Sequence, residues 1–157
     1  MPLIHLTTFI AAPMERVFDL SRSVSLHRMS MQEHGETVVA GVSTGLMQLN
    51  DTVTWQARHL GRKRMLSMKI TALNAPLQFI DEMLKGDFRE IRHEHHFKAI
   101  DNGTLMIDLF HFETPYGWLG SLVNRFYLTA YMRRLLEKRN TVLKTYAETD
   151  RWKQVLV

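Results

Sequence analysis

Residues 88–113, FREIRHEHHFKAIDNGTLMIDLFHFE, decide the fold. Two strand-like runs, Phe88 to Ile100 and Thr104 to Glu113, flank Asp101-Asn102-Gly103, and Asn-Gly between such runs is a strong hairpin signal. Alternate residues of a strand share a face, so Ile91, His93, His95, Phe97 and Ala99 point one way. Glu90, Arg92, Glu94, His96 and Lys98 point the other. The first set, apolar except for its two histidines, is the expected inner face.

Upstream, the same alternation continues as a meander of antiparallel strands. Leu77 to Leu84 precedes a Lys85-Gly86-Asp87 turn, Asn74-Ala75-Pro76 breaks the strand before it, and Asp51 to His59 and Arg62 to Leu73 flank a Leu60-Gly61 turn. Further back, Glu36 to Asp51 holds Gly41, Gly45 and Asn50 among apolar residues, which predicts a short strand and an irregular loop. At the start of the chain Leu3 to Ala11 reads as a strand ended by Ala12-Pro13. Met14, Val17, Phe18 and Ser21 then recur at helical spacing up to about Arg22, and a second short helix is expected from Val24 to Gln32, stopped by His34-Gly35.

Downstream, Trp118 to Tyr146 predicts one long helix without internal proline. Its second half is apolar along Leu128, Met132, Leu135, Val142, Leu143 and Tyr146, opposite Arg133, Glu137, Asn140 and Lys144. Its first part sets Leu119, Leu122, Val123, Phe126 and Ala130 on nearly the opposite side, so the stripe changes sides near Leu128. This order of elements is that of an α+β domain in which a curved antiparallel sheet of six to seven strands wraps around the long C-terminal helix.

Composition agrees with one domain spanning 1–157. The hydrophobic fraction is 45% and the charged fraction 23%, with neither linker nor repeat. Zero cysteines exclude disulfides and cysteine-ligated metal or redox sites. The first ten residues lack a charged leader followed by an apolar run, and no segment has the length of a membrane span, so a cytoplasmic location is expected. The net charge of +4 resides at the C-terminal end, where Arg125 to Lys153 carries eight basic residues against Glu137, Glu148 and Asp150. A charge run on one helix is ordinarily a solvated face, and no nucleic-acid partner is expected.

Several stretches resemble a known superfamily. Ile10-Ala11-Ala12-Pro13-Met14-Glu15-Arg16-Val17-Phe18 is similar to the strand-to-helix junction of the SRPBCC superfamily, which includes START, Bet v 1-like and polyketide cyclase/dehydrase-like proteins. Phe79-Ile80-Asp81-Glu82-Met83, Gly86-Asp87-Phe88 and Ile91 to Phe97 resemble the matching strands of a bacterial ligand-binding subgroup. Thr104 to Asp108, Pro115-Tyr116-Gly117-Trp118-Leu119-Gly120 and Tyr131 to Asn140 extend the likeness over nearly the whole chain. The resemblance implies a helix-grip fold with an internal cavity for apolar or amphipathic ligands. It implies no single reaction.

The candidate site starts from the histidines. On an otherwise apolar inner face, His93 and His95 are suited to hydrogen-bond a ligand carbonyl or hydroxyl, or to act as acid or base. A three-residue loop at Lys85-Gly86-Asp87 sets Phe79 opposite His93 and makes Asp81 its diagonal neighbour; a two-residue loop sets Ile80 there and turns Glu82 inward. The next hairpin pairs His93 with His111 or with Phe112 by the same ambiguity. His93, His95 and His111 with one carboxylate would suit zinc in ligand type, but a hydrogen-bonded or ligand-contacting histidine pair is preferred, and no cofactor or metal is expected. Trp55, Met68, Met83, Ile91, Phe97, Phe110, Phe112 and Phe126 are the expected apolar lining, with the loop Gly41 to Asn50 and the segment Tyr116 to Phe126 as gate or interface.

The leading functional expectation is therefore a protein that binds a small lipophilic molecule, without stable membrane insertion and compatible with a homodimer. The alternatives are a cyclase-like enzyme using His93 oriented by Asp81, and an interaction module for a protein or membrane. A Gly-rich phosphate loop and a dinucleotide fingerprint are both missing from the sequence.

Overall fold

The computed structural model describes residues 3–114 and 122–156. The chain forms β1 (Leu3–Ile10), α1 (Met14–Ser21), α2 (Val24–Ser30), β2 (Thr37–Gly41), β3 (Thr52–His59), β4 (Arg62–Asn74), β5 (Gln78–Lys85), β6 (Glu90–Ile100), β7 (Gly103–Glu113), α3 (Leu122–Glu148) and α4 (Lys153–Leu156). The seven strands make one antiparallel sheet in the order β1-β7-β6-β5-β4-β3-β2. The meander accounts for β2 through β7, and β1 adds to the far side of β7. Register shifts between Val38 and Ala40 and along β4 at Ser67/Met68 and Ile70/Ala72 add local bends, the usual device for curving a sheet around a helix.

Turn chemistry sets the hairpins. Leu60 and Gly61 both have positive φ, 53° and 76°, which gives the turn whose twist matches the flanking strands. At the β6-β7 turn the two linking residues are Asp101 and Asn102, and Asn102 takes φ 64°. Gly103 is already the first residue of β7. A side chain there would collide with the Ile10 carbonyl oxygen and press on the Phe9 ring, so glycine lets β1 cross the end of β7.

Both registers around His93 differ from the two alternatives the sequence suggests. With Ile100 opposite Gly103, His93 faces Phe110 across the hairpin, neither His111 nor Phe112. On the other side Asp81 stands directly opposite His93, and Phe79 opposite His95. The β5-β6 loop is longer than expected because the Arg89 amide hydrogen-bonds the Glu113 carbonyl of β7 at 2.8 Å and Phe88 turns inward edge-on to Phe112. Ala99, expected on the inner face, is exposed at the hairpin end.

The inner face carries the core. Phe18 of α1 packs edge-on against Phe79 and Phe97, with ring centroids 5.5 and 5.2 Å apart, while Ile4, Met106 and Phe112 are fully buried. Among the described residues of α3 the buried positions are Leu136, Arg139, Asn140, Leu143 and Ala147, one stripe at helical spacing. Asn140, expected on the polar side, belongs to that stripe, because its amide is needed beneath the sheet. Phe126 and Tyr127 are 71% and 55% exposed, consistent with the expected change of sides near Leu128. The start of the predicted helix at Trp118 and most of the candidate gate lie outside the described residues.

The C-terminal half of α3 is fastened to the opposite end of the chain. Glu148 accepts from the Ala11 amide at 2.8 Å, Lys144 donates to the Phe9 carbonyl at 2.6 Å, and Arg16 donates to the Ala147 carbonyl at 3.0 Å. Among the described residues, no helix is long and apolar enough to cross a membrane. Gly103→Val is expected to destabilise the fold by about 2 kcal/mol or more, since β1 must shift to admit the side chain; urea unfolding of the two proteins measures the difference.

Candidate functional site: a cavity with a buried histidine–aspartate cluster

Between the inner face and α3 lies a cavity of about 570 Å³. Its walls include Trp55, Met68, Ile70, Phe79, Phe110 and Leu136, and its polar lining includes Asp81, His93, His95 and Arg139. The volume falls in the range that holds a drug-sized molecule, roughly 300–1,000 Å³.

The polar cluster is organised by one carboxylate. Asp108 of β7 is completely buried. His93 Nε2 lies 2.8 Å from its Oδ1, Asn140 Nδ2 donates to its Oδ2 at 2.8 Å, and Arg139 reaches Oδ1 at 3.5 Å. Arg139 also donates to the Asn140 side-chain oxygen and to the Ser21 carbonyl, both at 3.1 Å. Thus Asp108 joins β6 and β7 to α3, and through Arg139 to the end of α1.

His95 sits between two acids. Its Nε2 is 2.7 Å from Asp81 Oδ1, while its Nδ1 is buried 3.5 Å from Asp108 Oδ1 without a hydrogen-bond partner. The two imidazoles lie 3.7 Å apart, His95 stacks on Phe79 at 4.0 Å, and His93 meets Phe110 edge-on at 5.2 Å. Aromatic faces therefore fix both rings, and hydrogen bonds fix their rotation.

Electrostatics follow from burial and partners. Burial opposes the charge on Asp108, yet its hydrogen bond with His93, the closeness of His95 and the Arg139 guanidinium hold its carboxyl well below the usual range. The same contest lowers Asp81, where burial is outweighed first by the bond to His95. His93 is pushed down to about 4, by burial and then by its neighbour His95, against the pull of Asp108. A neutral His93 beside an ionised Asp108 is the resulting arrangement near pH 7.

The expected site residues divide into three groups. Trp55, Met68, Asp81, Ile91, His93, His95 and Phe110 all line the cavity. Phe97 and Phe112 lie in the core next to it, and Met83 is half-buried against that core. Phe126 is largely exposed and is not among the lining residues. Asp81 does not orient His93 as expected: its hydrogen bond goes to the diagonal partner His95, because the directly opposed His93 is taken by Asp108. His111 cannot join a metal cluster with the other two, since it lies on the opposite face beside Glu94, 3.9 Å away.

Asp81, His93 and His95 do bring ligand atoms within 4.8 Å of one another, a set able to hold a divalent cation. A cation there would compete with hydrogen bonds those side chains already make. The loop Gly41 to Asn50 is tied to α2, with Val24 donating to the Gly45 carbonyl and Met47 to that of Arg22, each at 3.0 Å. Met47 is consequently buried against the cavity.

Asp108, Arg139 and Asn140 were missed as site residues, although two of them carry a signal. Asp108 shares its parity with Met106, Phe110 and Phe112, so a lone acid interrupts an inward apolar series. Arg139 falls four residues after Leu135 and four before Leu143, on the apolar stripe of its helix. A charge on each of two facing apolar surfaces marks a buried pair.

Asp108→Ala is expected to cost about 3–5 kcal/mol, since it strands the Arg139 charge and unpairs His93 and Asn140; chemical denaturation reads the loss. The pH dependence has a defined sign. Between about pH 6.5 and 4 the unfolded chain binds a proton at His93 that the folded chain does not, so stability falls as pH falls through that window. Urea midpoints at pH 7 and 4.5 should show the drop, and His93→Gln should flatten it.

No family model matches the sequence, and no curated protein matches it. Solved structures do. TTHA0849 from Thermus thermophilus is 20% identical, with 98% of each chain covered and a TM-score of 0.76. Ginseng major latex-like protein 151 from Panax ginseng is 13% identical over 94% of this chain and 98% of its own, with a TM-score of 0.69. Ara h 8.0201 is 12% identical over 93% of this chain and 97% of its own, with a TM-score of 0.68. In strand order, long terminal helix and the short helices after the first strand, this chain has the START/Bet v 1-like helix-grip fold.

Proposed function

We propose that this protein binds a small lipophilic or amphipathic molecule in the cavity between the sheet and α3. The observation that carries this reading is the composition of the cavity itself. Protein interiors are close-packed, and a solvent-open cavity of about 570 Å³ leaves apolar walls that packing would otherwise cover. A ligand that fills the space covers them. The apolar walls supply affinity, and a few placed polar groups supply orientation.

Asp81 and His95 are the natural anchors. Asp81 keeps some solvent exposure and bonds His95 through Oδ1, which leaves Oδ2 to accept from a ligand hydroxyl. His93 contributes through its position beside them, its Nε2 being committed to Asp108. Flexible Met68 and Met132 allow the walls to adapt to an irregular molecule.

Native mass spectrometry of the purified protein should show a co-purified small molecule, or uptake of 1-anilinonaphthalene-8-sulfonate by the emptied protein. Met68→Trp, which fills the cavity from its β4 wall, should weaken dye binding by about tenfold or more while the protein remains folded by circular dichroism. A wild-type protein that is empty and takes up no dye overturns the reading.

A further inference from the structure

The cavity has a second polar end. Remote from Asp81 and His95, His59 of β3 and Tyr131 of α3 meet across it, with His59 Nδ1 2.8 Å from the Tyr131 hydroxyl. Beside them, Glu36 and His27 lie 2.5 Å apart, and His27 stacks on Trp55 at 4.4 Å. All five side chains line the same cavity as Asp81 and His95.

The separation of the two ends follows from the framework. Tyr131 and Arg139 are eight residues apart on α3, about 12 Å along a helix rising 1.5 Å per residue. In the sheet the two ends are also offset along the strands: on β4, His59 pairs with Arg62 and Asp81 with Ile70, eight residues further on. Between the ends the lining is apolar, with Val53, Met68, Ile70, Met132 and Leu135.

Each end retains hydrogen-bonding capacity after its internal bonds are counted. The Tyr131 hydroxyl can both donate and accept, and the bond to His59 uses one of those roles. At the other end Asp81 Oδ2 is spare. Burial and the nearby His34 lower the pKa of His59, which favours the neutral ring.

Resting on the ligand-binding reading above, we infer that the ligand is bipolar, with a hydroxyl or similar hydrogen-bonding group at each end of an apolar body. Asp81 with His95 reads one end, and the His59–Tyr131 pair reads the other. A simple hydrocarbon tail with one polar head leaves the second pair unsatisfied by ligand.

The test compares decane-1,10-diol with 1-decanol by competition against the bound dye. Hydrophobicity alone favours 1-decanol, so tighter binding of the diol, by about fivefold or more, is the expected result. Tyr131→Phe and, separately, His59→Gln should remove that advantage and leave 1-decanol within about twofold. If 1-decanol binds as tightly as the diol, or the diol keeps its advantage in both variants, the bipolar ligand is wrong while the cavity reading stands. If neither alcohol displaces the dye, the inference is also overturned; if the dye itself fails to bind, both readings fall.

Discussion

The buried carboxylate of Asp108 is the constraint around which this molecule is arranged. An ionised acid out of water is expensive unless charge and hydrogen bonds surround it, and here they arrive from both layers: His93 from the sheet, Asn140 and Arg139 from the helix. The helix therefore has one acceptable rotation and one acceptable depth against the sheet. An apolar interface alone would tolerate sliding by a turn. Arg139 extends the restraint to the Ser21 carbonyl, so the short first helix is positioned by the same group.

That constraint also explains why the cavity has a polar end. A sheet and helix joined by purely apolar side chains would close on each other. In this chain the stripe of α3 changes from Leu143 and Ala147 to Asn140 and Arg139 as it passes the middle of the sheet, and beyond Leu136 it turns toward half-buried Met132 and Tyr131. Dense packing is thus confined to the end near α1, where Phe18, Phe79 and Phe97 meet. The open volume lies past it, against β3 and β4.

Much of this was legible in the residues. Alternation in Ile91 to Phe97 set the inner face, the Leu60-Gly61 turn fixed one hairpin, and the long terminal pattern announced α3. Registers were not legible, because they depend on where backbone bonds go outside the turn itself. The Arg89 amide chooses Glu113 of β7, and the Gly103 position is dictated by the crossing β1 strand. Neither is a local property. The role of Asn140 was likewise hidden: a lone asparagine beside Glu137 and Lys144 reads as solvated until a buried acid stands opposite it.

The two borders of the sheet are closed in different ways. On one side β2 has only five residues and is interrupted between Val38 and Ala40, so it offers little continuous template. On the other, Lys144 and Glu148 occupy the Phe9 carbonyl and the Ala11 amide where β1 ends. A strand from another molecule meets a broken ladder at the first border and, where β1 ends at the second, two backbone groups already taken. A sheet bent open around a hollow could invite strand-to-strand aggregation; blunted borders of this kind guard against it, and they leave the inside of the curve as the surface available to a guest.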